Sequence, residues 1–193
     1  MATLESLKEK YHQAFKHSLE VLPVFRGEIT WVIERDRLKE LMTGLKKDGF
    51  DYLVDVSSVD NFGEEPRFEM IYELFSYTTE EHLRVKTKVS EDECSVHTVS
   101  DLWAGAEWHE REVFDMMGIQ FDSHPDLRRI LMWDGYPYFP LRKDFPLEGK
   151  ETEMPDIAFT KPAPLEGGPF VTAPDTAIAQ KREPRAKDFV DRE

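Results

Sequence analysis

Phe68-Glu69-Met70-Ile71-Tyr72-Glu73-Leu74-Phe75-Ser76-Tyr77, followed after residues 78–82 by Leu83-Arg84-Val85-Lys86-Thr87-Lys88-Val89, carries the clearest structural signal in this chain. Both halves alternate with a period of two, the spacing at which a strand turns every second side chain to the same side. Phe68, Met70, Tyr72 and Leu74 share one face, and Glu69, Ile71, Glu73 and Phe75 the other. Leu83, Val85, Thr87 and Val89 alternate with Arg84, Lys86 and Lys88. Residues 78–82 turn the chain, so the halves read as a hairpin in which glutamates meet a basic face. Such cross-strand pairs add about 0.2–1 kcal/mol each. Solvated charge on a hairpin face explains them without a further role.

Upstream, residues 50–56 alternate Phe50, Tyr52, Val54 and Val56 against Asp51 and Asp55, and read as a half-buried strand. Residues 61–66 are a loop. Leu38, Leu41, Met42 and Leu45 form a helical stripe that Asp36 is placed to cap and Asp48-Gly49 to close. Residues 29–33 read as a short strand. Residues 4–22 read as a helix, with Leu4, Leu7, Tyr11, Phe15 and Leu19 three or four apart and Pro23 at its end. Downstream, residues 99–117 return to helix in two pieces around Gly105. The order is helix, strand, helix, three strands, helices. Consecutive strands without intervening helices predict an α+β domain over 1–148: a mostly antiparallel sheet with helices packed on one face. Six of the 12 prolines lie after residue 148. With no periodic apolar pattern, 149–193 reads as an extended proline-rich C-terminal arm.

Composition excludes several functions. Net charge is −14 over 193 residues, against a nucleic-acid surface and against simple adhesion to anionic lipid. No run of 18 apolar residues occurs, so the sequence predicts no spanning helix. Residues 1–20 carry Glu5, Glu9 and several lysines without an apolar stretch, so they do not read as a secretory signal. Cys94 is the single cysteine. It allows no internal disulfide, and an iron–sulfur cluster normally takes about four thiolates.

The segment 107–147 holds the candidate chemistry. Glu107 and Asp115 lie four residues either side of Arg111, so one arginine is placed to serve both carboxylates. A metal reading would combine His109, Glu110 and Glu112, but neighbouring helix positions point about 100° apart and no His-Glu-x-x-His occurs. Arg111 would repel the cation. His124-Pro125-Asp126 resembles a helix start, and Arg128 and Arg129 have the forked donors that clamp phosphate or carboxylate. No glycine-rich phosphate loop accompanies them. His124 reads as a capping or packing residue. Pro140 and Pro146 enclose Arg142, Lys143 and Asp144 in what reads as a stiff extended strip, suited to docking because it loses little entropy on binding.

Glu110-Arg111-Glu112, Asp115-Met116-Met117-Gly118-Ile119, His124-Pro125, Arg128-Arg129-Ile130-Leu131 and Pro140-Leu141-Arg142-Lys143-Asp144-Phe145-Pro146-Leu147 resemble the signature of the C-type subunit of the bacterial proton-translocating NADH–quinone oxidoreductase, respiratory complex I. Its mitochondrial counterpart is the 30-kDa subunit. One departure is local: Phe139 stands where histidine is common. The resemblance implies a subunit without catalytic, cofactor-binding or metal residues of its own. It implies docking on the hydrogenase-like large subunit, the D-type one, and on neighbouring peripheral-arm subunits, at the cytoplasmic face of the bacterial inner membrane. Membrane contact would come only through the complex. FMN, iron–sulfur clusters and quinone would belong to partner subunits, and electron transfer from NADH to quinone, coupled to proton translocation, to the assembly. Glu110, Arg111, Glu112, Asp115, His124, Arg128, Arg129, Arg142, Lys143 and Asp144 would hold the docking surface.

Three other readings compete. One is the equivalent subunit of a membrane-bound hydrogenase-type complex, which partner subunits would distinguish. Another is a free-standing metal-dependent hydrolase using the acidic helix 107–117, which would turn over substrate alone. The third is an adaptor unrelated to respiration.

Overall fold

The computed structural model describes residues 4–147 and 149–150. The predicted arm at 149–193 falls outside the described residues but for its first two positions. Helix α1 spans Leu4–Phe15, strand β1 Leu19–Val21, β2 Ile29–Ile33, helix α2 Leu38–Lys47, β3 Tyr52–Asp60, β4 Phe68–Ser76, β5 Glu81–Val89, β6 Ser95–His97, helix α3 Ala106–Met117 and β7 Gln120–Asp122. Five strands form one sheet in the order β1-β2-β5-β4-β3. All its pairings are antiparallel except β2 with β5. β6 and β7 form a second, two-stranded parallel sheet.

The hairpin is as the alternation predicts. Phe68, Met70, Tyr72, Leu74, Leu83 and Val85 are fully buried, and apolar side chains of all three helices join them in one core. The opposite face carries the expected charges, with Glu73 paired to Arg84 and Glu69 to Lys86 (2.9 Å). Residues 29–33 form the strand expected of them, and Gly49, at φ +107°, follows α2 as expected.

Several expectations change. The first helix stops at Phe15, where Lys16 turns to φ +49°, and Leu19–Val21 pairs with β2 instead. Leu19 lies four residues after Phe15, so the helical period continues in phase through a residue that is buried as a strand. In β3 the register slips between Leu53 and Asp55. Leu53 and Val56 are buried, while Tyr52 and Val54 are 45% and 41% exposed, opposite to simple alternation. A bulge adds one residue and moves the following side chains to the other face. Asp36 caps nothing and pairs with its neighbour Arg35.

Residues 99–105 are turns, not a helical piece: Leu102 and Trp103 both donate to the Val99 carbonyl, and the Val99 amide is held by Glu110. Residues 124–129 also form a turn, in which the Asp126 amide donates to His124 Nδ1. The strip 140–146 is folded into successive turns closed by Arg142 N–H to Phe139 O (3.2 Å) and Phe145 N–H to Arg142 O (3.0 Å). Proline's fixed φ suits the start of a turn as well as an extended chain. Among the described residues no helix is long and apolar enough to cross a membrane.

Candidate functional site: a loop fastened by buried ion pairs

Helix α3 is the frame. It lies beside β3, where His109 Nδ1 is 3.1 Å from Asp55 Oδ1. Gly118, at φ +78°, ends it with its N–H on the Phe114 carbonyl. A side chain there would be strained and crowded: a Cβ would lie 2.7 Å from the Phe139 ring and 2.8 Å from Arg142 Nη2, so those side chains would have to shift. Residues 123–147 return across α3 and are fastened at three places, two on α3 and one on the sheet.

Asp115, fully buried, is the first. Its Oδ2 accepts the amides of Ile130 (3.0 Å), Leu131 (2.7 Å) and Met132 (2.8 Å), and its Oδ1 accepts Arg129 Nη1 (2.6 Å). Arg129 also donates to the carbonyls of Asp115, Tyr136 and Tyr138. Burial would raise the Asp115 pKa, but the donors, the Met132 amide foremost and Arg129 next, outweigh it and hold the carboxyl below its ordinary value.

The second is Asp60 with Arg67, on either side of the loop between β3 and β4. Arg67 forks onto Asp60 through Nε and Nη2, both at 2.8 Å. It also reaches Glu91 (2.8 Å) and Asp144 (2.9 Å). The Lys143 amide donates to Asp60 Oδ2 (2.8 Å), so 143–144 is tied to the sheet from both directions. The Arg67 hydrogen bonds lower the Asp60 pKa more than burial raises it. Arg142 is the third fastener, donating from Nε to the Met117 carbonyl (2.6 Å). The Phe139 ring lies against both arginines, 5.2 Å from the Arg129 guanidinium and 4.6 Å from that of Arg142. An aromatic face attracts cations, which accounts for a phenylalanine at this position.

Arg111 does not bridge Glu107 and Asp115. Asp115 is already saturated, and Arg111 donates to the carbonyls of Arg128 (3.1 Å) and Arg129 (3.2 Å) while stacking on Trp108. Glu110 points the other way, into the core. It accepts the Val99 amide (2.7 Å) and the Thr98 hydroxyl, and His124 Nε2 lies 3.8 Å away. Burial pushes its pKa up to about 7 against these donors. The His124 side chain is fully buried, with Nδ1 accepting the Asp126 amide and Nε2 facing the Glu107 carbonyl (3.2 Å), the packing role expected.

Glu112 is exposed, and among the described residues Arg128 pairs only with Asp126 (2.8 Å). His109, Glu110 and Glu112 therefore face three different surroundings, and among the described residues no three such side chains form a metal's ligand set. Cys94 Sγ contacts the Gly118 carbonyl at 3.7 Å, and burial raises its pKa. One thiol does not make a cluster site.

A model of the family described as respiratory-chain NADH dehydrogenase, 30 Kd subunit, matches residues 31–151. This chain belongs to that family. The C-type subunit of the NADH-quinone oxidoreductase of Geobacter metallireducens is 44% identical over 146 residues, 75% of this chain and 90% of that one. In Sulfurihydrogenibium sp. the relative is a longer NADH-quinone oxidoreductase chain designated C/D. It is 42% identical over 137 residues, 68% of this chain and 23% of that one. The solved trypsin-resistant fragment (1-134) of Nqo5 superposes with a TM-score of 0.56 at 32% identity, covering 63% of this chain and 98% of the fragment. All three fastenings of this 30-kDa-type chain lie inside the matched residues. Asp60, Arg67, Glu91 and Thr98 belong to the site although sequence reading did not select them, and Gly118 stands in the quoted motif without a role. Gly118 alone left a local signal, a glycine directly after a helix.

Proposed function

We propose that this chain is a hydrophilic-arm subunit of an NADH–quinone oxidoreductase that holds a docking surface and performs no bond-making or electron-transfer step itself. The observation that carries this reading is the inward use of its charges. Asp115, Arg129, Asp60 and Arg67 are engaged by each other, by Glu91 and Asp144 and by backbone groups, and Arg142 donates to the Met117 carbonyl. Their arrangement fixes a loop, and the polar atoms of these residues are spent on holding it. Outward from the same frame stand Trp108, Leu131 and Leu141, each about 60% exposed, the kind of apolar residue that anchors a protein interface.

The partner in this reading is the hydrogenase-like large subunit of the D type. The designation C/D on a much longer relative supports it, because one polypeptide there carries both letters. FMN, clusters and quinone belong to partner subunits, and the chain sits peripherally on the cytoplasmic side of the membrane. Glu110, Arg111, Glu112, Asp115, His124, Arg128, Arg129, Arg142, Lys143 and Asp144 shape the surface and are not catalytic.

Affinity purification of the tagged chain from native membranes tests this. The expected result is co-elution of a D-type subunit with flavin and iron–sulfur absorbance, while the purified lone chain is colourless and inactive. Substrate turnover or a stoichiometric metal in the lone chain would overturn the reading.

A further inference from the structure

Glu112 has no ion pair or hydrogen bond among the described residues, although Glu110 and Asp115 on the same helix are both engaged. It lies four residues after Trp108 and four before Met116, so the three share one face of α3. Trp108 is 58% exposed yet held in place by its stack on the buried Arg111. Leu141, whose amide donates to the Met116 carbonyl (3.1 Å), is 58% exposed, and Leu131 in the same returning loop is 61% exposed. Between α3 and edge strand β3 runs a cleft of about 130 Å³. Glu112, Asp55, Met116 and Leu141 line it, and no lysine or arginine does. It has room for the end of a side chain, not for a cofactor.

Two carboxylates in one narrow cleft repel each other, and His109 is placed to relieve only Asp55. Exposed tryptophan and leucine beside an uncompensated carboxylate make a surface that is apolar and negative together. We propose that this cleft receives a lysine or arginine side chain from the partner subunit, its stem along Leu141 and Met116 and its charge between Glu112 and Asp55, while an apolar residue of the same segment covers Trp108. The proposal rests on the docking reading above and specifies the chemistry of the partner segment.

The test uses the tagged full-length chain in native membranes, with Glu112→Gln, Glu112→Arg and Glu9→Arg. Glu9 is exposed on α1 and provides the same change in net charge away from the cleft. The measurement is the salt concentration at which the D-type subunit stops co-eluting, together with thermal melting of each isolated chain. Glu112→Gln is expected to weaken retention about tenfold at fixed salt and Glu112→Arg to abolish it, with melting unchanged. Glu9→Arg is expected to behave as wild type. A photo-crosslinker at position 112 should join a partner peptide containing lysine or arginine beside an apolar residue. Wild-type retention by Glu112→Arg, or a crosslink to a peptide without a basic residue, overturns the proposal and leaves the docking reading intact. Failure of the wild-type chain to bring down any respiratory subunit overturns both.

Discussion

Asp115 divides one carboxylate oxygen among three consecutive amides and gives the other to Arg129, so its removal strands three amides and takes the counter-charge from Arg129. Asp115→Ala is expected to cost about 3–5 kcal/mol in urea unfolding, the penalty for leaving a buried cation unpaired. Asp115→Asn keeps the shape and an acceptor and should lose less. Asp60 and Asp115 both titrate lower folded than unfolded. Their contribution is therefore present above the ordinary aspartate pKa of 3.8 and is lost as pH falls through their folded values. Glu110 works in the opposite direction. Its pKa rises from 4.5 to about 7 on folding, so its contribution is present below 4.5 and is lost as pH climbs to 7. The size is about 3 kcal/mol. Glu110→Gln should flatten that part of the stability–pH curve, and an unchanged slope between about pH 5 and 7 would refute the assignment. Arg111→Glu is expected to impair assembly because it sets a carboxylate against the carbonyls of Arg128 and Arg129.

At the scale of the element, β3 separates pattern from register. Alternation places Tyr52 and Val54 inside, but the bulge puts Leu53 there instead. Leu53→Ala should cost about 2–5 kcal/mol by thermal melting, whereas Val54→Ala should stay within about 0.5 kcal/mol. Equal costs would mean that the strand has no slip. Helix α3 makes a related point. Its face toward 123–147 is not apolar but carries Asp115 and Arg111, and hydrophobic periodicity does not register a helix side buried through charge. The α3 stop at Gly118 is different, because left-handed backbone and the close approach of Phe139 both require glycine. Gly118→Ala should destabilise by about 1–3 kcal/mol or more, read by melting.

For the whole molecule, Arg67 links parts far apart in sequence: Asp60 beside it, Glu91 after β5 and Asp144 in the returning loop. Arg67→Lys preserves charge but loses the fork. It is expected to release 140–147 before the sheet melts, visible as faster exchange of the Lys143 amide that donates to Asp60. Unchanged exchange would show that the loop is held elsewhere. This loop connects fold to the proposed function, since pinning it sets where the exposed Leu131 and Leu141 stand.

The features legible in the residues alone were local and repetitive: the β4–β5 hairpin, strand β2, helix α2 with its glycine stop, the α+β class and, through the motif at 107–147, the family. The elements follow from side-chain spacing along each one, the class from their order and the family from resemblance of the motif, so all can be read without knowing what lies opposite. The remainder came from how the elements pack. Packing placed β2 parallel to β5, took Leu19 into a strand although the helical period ran through it, slipped β3 by one residue, and folded 140–146 into turns. It also chose partners for the charges, giving Asp115 to Arg129 and not to Arg111, and bringing Asp60, Arg67 and Asp144 together. The physical reason is common to all of these. A buried charge or a strand edge is satisfied by whatever group the fold brings within about 3 Å, and that group here sits between 7 and 83 residues away along the chain.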